Sequence, residues 1–381
     1  MSAVRDRVRH APLPGEAEAA ARSWPVVEAA LAERAPSVPR RRLALRLALV
    51  AGLLCLGLAT ALSPAGAWIG DRFRDEPARV KPAFAGLPPG GSVLAITQSG
   101  AYAVHPDGSS RNLGPFSEVG WSPHGLHAVG VEGRRLVAVT PAATTKWTLA
   151  RPHRLAHPAW SRGDGFFVAY LERARSGANL RVVDGKGNPA TSRLLRRRAA
   201  AVTPAWRPGA GYVLTYASAG GAIETVDAIT RRTVWRARVA DPVKELTWTR
   251  RGSRLVVLSS RAVTVLDPRG RVLRTLRLPG AGSELALHPS GRRAAVVVAG
   301  GEGRRVLEIP LGGGQAKLLF QGDVDGAAWS EDGRWLLLGW RGAGQWLLLG
   351  SHGRIRALHG VSSELGAAGG FPRVAGWCCA D

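Results

Sequence analysis

The chain repeats a short pattern seven times, and that repetition limits the fold more than any other feature. An apolar run ends in Trp, a polar tight turn holding Gly follows, and a second apolar run comes after it. The pattern reads Trp121-Ser-Pro-His-Gly125, Trp160-Ser-Arg-Gly-Asp-Gly165, Trp206-Arg-Pro-Gly-Ala-Gly211, Trp248-Thr-Arg-Arg-Gly252 and Trp329-Ser-Glu-Asp-Gly333. Leu287-His-Pro-Ser-Gly291 is a copy with Leu in place of Trp, and Trp377 anchors a truncated last copy. Successive anchors stand 39, 46, 42, 39, 42 and 48 residues apart. A period of about 40–45 residues with four short strands per unit belongs to propeller blades.

Between the anchors lies a second element, a strand, a turn and another strand. Examples are AYAVHPDGSSRNL (101–113), VTVLDPRGRVLRTL (263–276) and QWLLLGSHGRIRAL (345–358). Period-2 alternation around Asp-Gly or Gly-rich centres marks a β-hairpin, and seven hairpins accompany the seven anchors. The array starts with strands that have no anchored partner, SVLAIT and the 101–113 hairpin. It ends with a lone anchored strand, PRVAGWCC (372–379). The expected fold is therefore all-β, a seven-bladed propeller whose closing blade is shared by N- and C-terminal strands. Such closure hides sheet edges. Runs such as Val296-Val297-Val298 and Leu336-Leu337-Leu338 fit strands buried on both faces. The anchors Trp121, Trp160, Trp206, Trp248, Leu287, Trp329 and Trp377 read as wedges between blades rather than as an aromatic ligand platform.

Residues 43–62, LALRLALVAGLLCLGLATAL, contain nine Leu and a single charge, Arg46. Twenty helical residues span about 30 Å, the hydrocarbon thickness of a bilayer. Arg40, Arg41 and Arg42 precede this run and Trp68 follows it. Flanking positive charge stays in the cytoplasm. The reading is a cytoplasmic, partly helical tail over 1–42, a transmembrane helix over 43–63, a linker over 64–91 and a propeller over 92–381 outside the cell. A cleaved signal peptide ending near Ala65-Gly66-Ala67 competes with this, but the 42 residues ahead of the apolar run are long for one. In the tail, Trp24, Val27 and Leu31 form a narrow stripe within an Ala-rich stretch. That stripe fits a marginal helix that docks on a cytoplasmic partner or lies on the membrane.

Lys and Arg total 52 against 28 Asp and Glu, a net charge of +24. Such a field attracts nucleic acid, anionic lipid or an anionic envelope polymer. By propeller topology the pairs Arg231-Arg232, Arg250-Arg251 and Arg292-Arg293 open on one face. Arg134-Arg135, Arg304-Arg305 and Arg196-Arg197-Arg198 open on the other. That split points to a diffuse field and away from a dedicated nucleic-acid surface.

Catalytic patterns are sparse. No G-x-S-x-G is present, which disfavours a prolyl-peptidase-type hydrolase. The stretch Ser330 to Trp335 lacks the spacing of a sialidase Asp-box. Asp323 and Asp325 are close together, but they sit where a loop enters an anchored strand and read as solvated. The pairs His124/His127 and His153/His157 have no third ligand in view, whereas zinc takes three or four protein ligands. No cofactor site is expected. Cys55 falls in the apolar span, while Cys378 and Cys379 adjoin in the closing strand and are expected as buried thiols rather than as a vicinal disulfide.

The stretches WSPHG-LHAVG and WSEDGRWLLLG (329–339) resemble the repeat of TolB-like, WD40-like propellers. The resemblance covers about 290 residues from Gly90 onward and implies the fold. The acidic turn residue of that repeat stands at Asp332 and Asp164 only. TolB itself carries an α/β domain ahead of its propeller, where this chain has its apolar run. The chain also looks like membrane-anchored propeller proteins of high-GC actinobacteria. The function expected is a non-enzymatic binding scaffold outside the cell, whose partner is an unknown protein or an anionic envelope polymer. The alternatives are a propeller hydrolase acting on a glycan or lactone, and a transmembrane signalling module whose tail holds a cytoplasmic regulator.

Overall fold

The computed structural model describes residues 83–161, 166–175, 177–301, 303–365 and 370–379. The expected tail, the transmembrane span and most of the linker lie outside the described residues. Among the described residues no helix is long and apolar enough to cross a membrane.

Seven four-stranded antiparallel sheets succeed one another along the chain. In the first six blades the innermost strands are Glu118–Trp121, Leu155–Trp160, Ala205–Trp206, Val243–Trp248, Gly282–Leu287 and Val324–Trp329. Each ends on its anchor, and three further strands run outward from it. The closing blade takes Arg373–Cys378 as its innermost strand and completes itself with Ser92–Thr97, Gly100–Val104 and Ser110–Gly114. Its register joins Ser92 to Cys378, Val93 to Trp377 and Leu94 to Gly376. The shared closing blade read from the two ends of the repeat array is therefore present.

The core is divided into seven apolar clusters, and each fills the gap between two neighbouring blades. Strand alternation explains the arrangement. In Leu255–Ser259, Val256 and Leu258 face the fifth blade and pack with Val296 and Val298. Leu255 and Val257 face the third blade and pack with Ile223 and Ala217. One strand thus feeds two cores, which is why these runs are continuously apolar. The cluster between the closing and first blades joins Leu94, Ala101 and Leu113 to Phe116, Ala128 and Val139, so the ring has no open side.

Trp160, Trp206, Trp248 and Trp377 are buried, while Trp121, Leu287 and Trp329 are half-buried against their clusters. Hiding roughly 200 Å² of indole at about 25 cal/mol per Å² contributes up to about 5 kcal/mol for each of the four buried Trp anchors. The indole N–H gives some anchors a directional role as well. Trp206 donates to the Ala159 carbonyl (3.0 Å) and Trp329 to the Ala286 carbonyl (3.1 Å), each reaching back to the preceding blade. Trp248 donates to Thr215 Oγ1 (3.1 Å), and Trp377 donates to the Gly91 carbonyl at the entry to the propeller (3.1 Å).

Two details depart from the sequence reading. Phe84 and Leu87, in the stretch read as linker, are buried with Trp346, Leu358 and Val361. The segment lacks a repeating pattern, yet its two large apolar side chains cover the seam between the sixth and closing blades. In addition, Cys378 and Cys379 form a disulfide instead of separate thiols. The left-handed backbone at Cys379 (φ 63°) turns the two sulfurs toward each other. The pair packs on the first blade's turn, with Cys379 Sγ 3.4 Å from the Pro123 carbonyl oxygen.

Candidate functional site

One face of the ring is built from the turns that follow the anchors. Within a turn, the hydroxyl after the anchor accepts a backbone N–H from the start of the next strand. Ser122 accepts from His127 (3.0 Å), Ser161 from Phe167 (2.9 Å), Thr249 from Arg254 (3.1 Å) and Ser330 from Trp335 (3.0 Å). This satisfies a donor that the tight turn would otherwise orphan, and it gives the Trp-Ser/Thr pair a physical reason.

Where the hydroxyl is missing, the side chain reaches the next blade instead. Arg207 Nε donates to the Gly252 carbonyl (3.0 Å), and its guanidinium lies 5.4 Å from the centre of the Trp248 ring. His288 accepts the Ser290 N–H at Nδ1 (3.1 Å), so its proton sits on Nε2 and is donated to the Gly333 carbonyl (3.0 Å). Its ring meets Trp329 edge-on at 4.6 Å. Burial pushes the His288 pKa down, which keeps the ring neutral in this role.

Glycines make the close approach between turns possible. Gly252 (φ +63°) faces the Pro208 carbonyl, only 2.2 Å from where a Cβ would stand. Gly333 (φ +68°) leaves the same kind of space for His288, at 2.5 Å. No L side chain fits comfortably at either position.

Between the turns of the fourth and fifth blades lies a cleft of about 890 Å³. Five arginines line it, Arg250, Arg251, Arg254, Arg292 and Arg293, and no acid does. Two are neutralised from outside: Arg250 pairs with Glu331 (2.7 Å), and Arg293 pairs with Glu308 (3.1 Å). Arg293 also lies 5.3 Å from the centre of the Trp329 ring. Arg251, Arg254 and Arg292 have no carboxylate within ion-pair distance among the described residues. These two doublets share the anchor-turn face, as expected, whereas Arg196, read as opening on the other face, lies within the strand Arg193–Ala199 and donates to the Arg231 carbonyl and Thr233 Oγ1. The convergence of the two doublets in one cleft was not visible in the sequence, because it depends on consecutive turns abutting.

The central channel is the second concentration of charge. The third residue before the anchor is Glu118, Glu245 or Glu284 in three blades, and each carboxylate clamps the next blade. Glu118 accepts from the His157 N–H (2.6 Å), Glu245 from the Leu285 N–H (2.9 Å) and Glu284 from the Gly326 N–H. At the same position His157 bonds Thr203 through Nδ1 (3.1 Å). Ladder irregularities beside Glu245 and Glu284 turn these side chains toward the neighbouring blade. Glu245 is half-buried, and burial pushes its pKa up to about 8. The Glu284 pKa is also raised by burial; Arg373 pulls against this and Asp325 adds to it.

Asp325 corrects the sequence reading. It lies in Val324–Trp329, is buried, and pairs with Arg341. The strand starts at Val324, so Asp325 stands inside it and not in the loop ahead of it. Asp323 is exposed, as expected. His127 lies 6.2 Å from the centre of the Trp160 ring. Among the described residues no three His, Cys, Asp or Glu side chains gather as metal ligands.

No family model matches the chain, and no curated protein does. Solved structures do. The β-propeller domain of Cps50 (Swd1) from Myceliophthora thermophila aligns with a TM-score of 0.52 at 16% identity, covering 64% of this chain and 87% of that one. Hydrazine synthase of Kuenenia stuttgartiensis aligns with a TM-score of 0.49 at 18% identity, covering 62% and 76%. The fold is that of a seven-bladed β-propeller. At these identities the likeness extends to the fold alone.

Proposed function

We propose that this chain is a single-pass membrane protein that presents its propeller outside the cell as a non-enzymatic binding platform, with the anchor-turn face as the docking surface. The observation that carries this reading is the face itself. Turns locked to one another by Arg207–Gly252 and His288–Gly333 hold an arginine-lined cleft open on a rigid ring. Rigid scaffolds with polar turns at one end are where propellers bind partners. The apolar run 43–62 behind Arg40, Arg41 and Arg42 supports the anchor and its orientation. The Trp-Ser-Glu-Asp-Gly turn at 329–333 supports a TolB-like type of repeat.

A photo-crosslinking residue in place of Arg251, compared with one in place of Arg134 on the opposite face, tests the platform in intact cells. A crosslinked product from position 251, a discrete protein band or a polymer smear, and none from 134 is expected. No product from the anchor-turn face would refute the platform. Accessibility of the propeller to a protease that cannot cross the membrane checks its placement; full protection in intact cells would contradict it.

The channel carboxylates favour a second reading, a hydrolase acting on a glycan or lactone, because a carboxyl with a pKa of about 8 is a competent general acid. The backbone N–H groups held by Glu245 and Glu284 weigh toward a structural role. Turnover of a glycoside or lactone that disappears in Glu245→Gln would support the hydrolase.

A further inference from the structure

The cleft between the fourth and fifth blades has a composition that selects its ligand. Three guanidinium groups without a carboxylate partner among the described residues, Arg251, Arg254 and Arg292, share it with the hydroxyl of Ser253. The planar fork of Arg matches the oxygens of a phosphate two at a time. A single phosphate would leave most of about 890 Å³ empty. That volume suits a segment of a few repeating units.

Nucleic acid fits the cleft less well. Single strands are held on aromatic side chains that stack their bases. No Phe, Tyr or Trp lines this cleft, and its one ring, His288, is occupied by Gly333, Ser290 and Trp329. What remains is recognition of an anionic backbone alone.

We propose that the cleft lined by Arg251, Arg254 and Arg292 binds a phosphodiester-linked polymer of the cell envelope, seating successive phosphates of one strand across two blades. The inference rests on the platform reading above and gives that platform a ligand class.

The test uses the full chain in detergent micelles, with tripolyphosphate, poly(glycerol phosphate), a single-stranded oligonucleotide and poly-glutamate as probes. Saturable binding of tripolyphosphate and poly(glycerol phosphate) is expected, with poly-glutamate and the oligonucleotide weaker. Arg251→Gln, Arg254→Gln and Arg292→Gln should each weaken poly(glycerol phosphate) binding by about tenfold. Each should also lower the slope of log affinity against log salt by about one. Arg134→Gln on the opposite face should change neither, and unchanged thermal unfolding confirms that each variant is folded. Equal losses from Arg134→Gln would overturn the proposal, since they would mean that only the overall field acts. Poly-glutamate binding as tightly would overturn the phosphate assignment, and a tighter oligonucleotide would overturn the envelope polymer. If crosslinking at position 251 finds a protein partner while these substitutions change nothing, the cleft inference fails alone. If the probes bind as expected but no partner is captured in cells, the platform reading fails and the cleft stands.

Discussion

His288 donates from Nε2 to the carbonyl oxygen of Gly333, 45 residues onward and one blade around the ring, at 3.0 Å. Arg207 makes the same reach to Gly252, also 45 residues onward, at 3.0 Å. These are the two full copies of the turn in which the hydroxyl after the anchor is replaced. The substitution removes a bond within a turn and adds one between turns, so the face stays rigid at the positions where the motif looks degenerate.

Gly252→Ala and Gly209→Ala separate backbone strain from collision. Both glycines have positive φ, +63° and +68°, but Gly209 has nothing within 4 Å of a Cβ whereas Gly252 meets the Pro208 carbonyl. Gly209→Ala should cost about 1 kcal/mol from strain alone. Gly252→Ala should cost about 3 kcal/mol, because backbone must also move. Thermal unfolding of the two variants side by side checks this; equal losses would contradict the interlocking of turns.

Trp206→Phe and Trp160→Phe isolate the indole N–H. Both rings are buried. Trp206 Nε1 donates to Ala159, while Trp160 Nε1 has no hydrogen-bond partner among the described residues. Replacing Trp206 should cost about 1 kcal/mol more than replacing Trp160. Denaturant unfolding would show the difference, and a larger loss at position 160 would argue against the inter-blade bond.

Glu245 makes stability depend on pH. Its pKa rises from 4.5 to about 8 on folding, chiefly through burial, with Glu284 adding to the rise while Arg373 and the Leu285 N–H oppose it. A carboxyl raised on folding binds more protons in the native state than in the unfolded one. Its contribution is therefore full below about 4.5 and is lost as pH climbs to about 8. Glu245→Gln keeps an acceptor for Leu285 and removes the titration. The unfolding temperature of the variant should fall less across that window than that of the parent chain; identical slopes would show that Glu245 titrates normally.

Removal of residues 372–381 should open the ring. Ser92–Thr97 would lose its partner strand, and Gly91 would lose the Trp377 indole bond. An unpaired apolar edge pairs with other chains. Light scattering should then detect oligomers, and a stable monodisperse monomer would speak against closure by the last strand.

The blades were legible because each one repeats a local pattern: a Trp, a turn with Gly, and alternation around it. The closing strand was legible for the same reason, since Trp377 had no hairpin after it and SVLAIT had no anchor before it. What escaped is side-chain contact between different blades. Glu245 and Leu285 meet 40 residues apart, and Arg250 reaches Glu331 across 81. No periodicity carries such pairs. One signal was present, an acid three residues before the anchor at Glu118, Glu245 and Glu284. For Glu245 and Glu284 its meaning needed the strand irregularities that stand beside them. Asp325 was misjudged because strand boundaries shift by a residue or two without a local cue, and one residue decides between a solvated and a buried carboxylate.

Because Ser92–Thr97 pairs with Arg373–Cys378, synthesis order and assembly order run against each other. The first strand of the ring to leave the ribosome must wait, with its edge bare, until some 280 further residues have been made. Six blades can form in the meantime, each from consecutive strands, while the seventh stays incomplete. Until the final strand arrives, the apolar inner edge of Ser92–Thr97 is open to pairing with another chain.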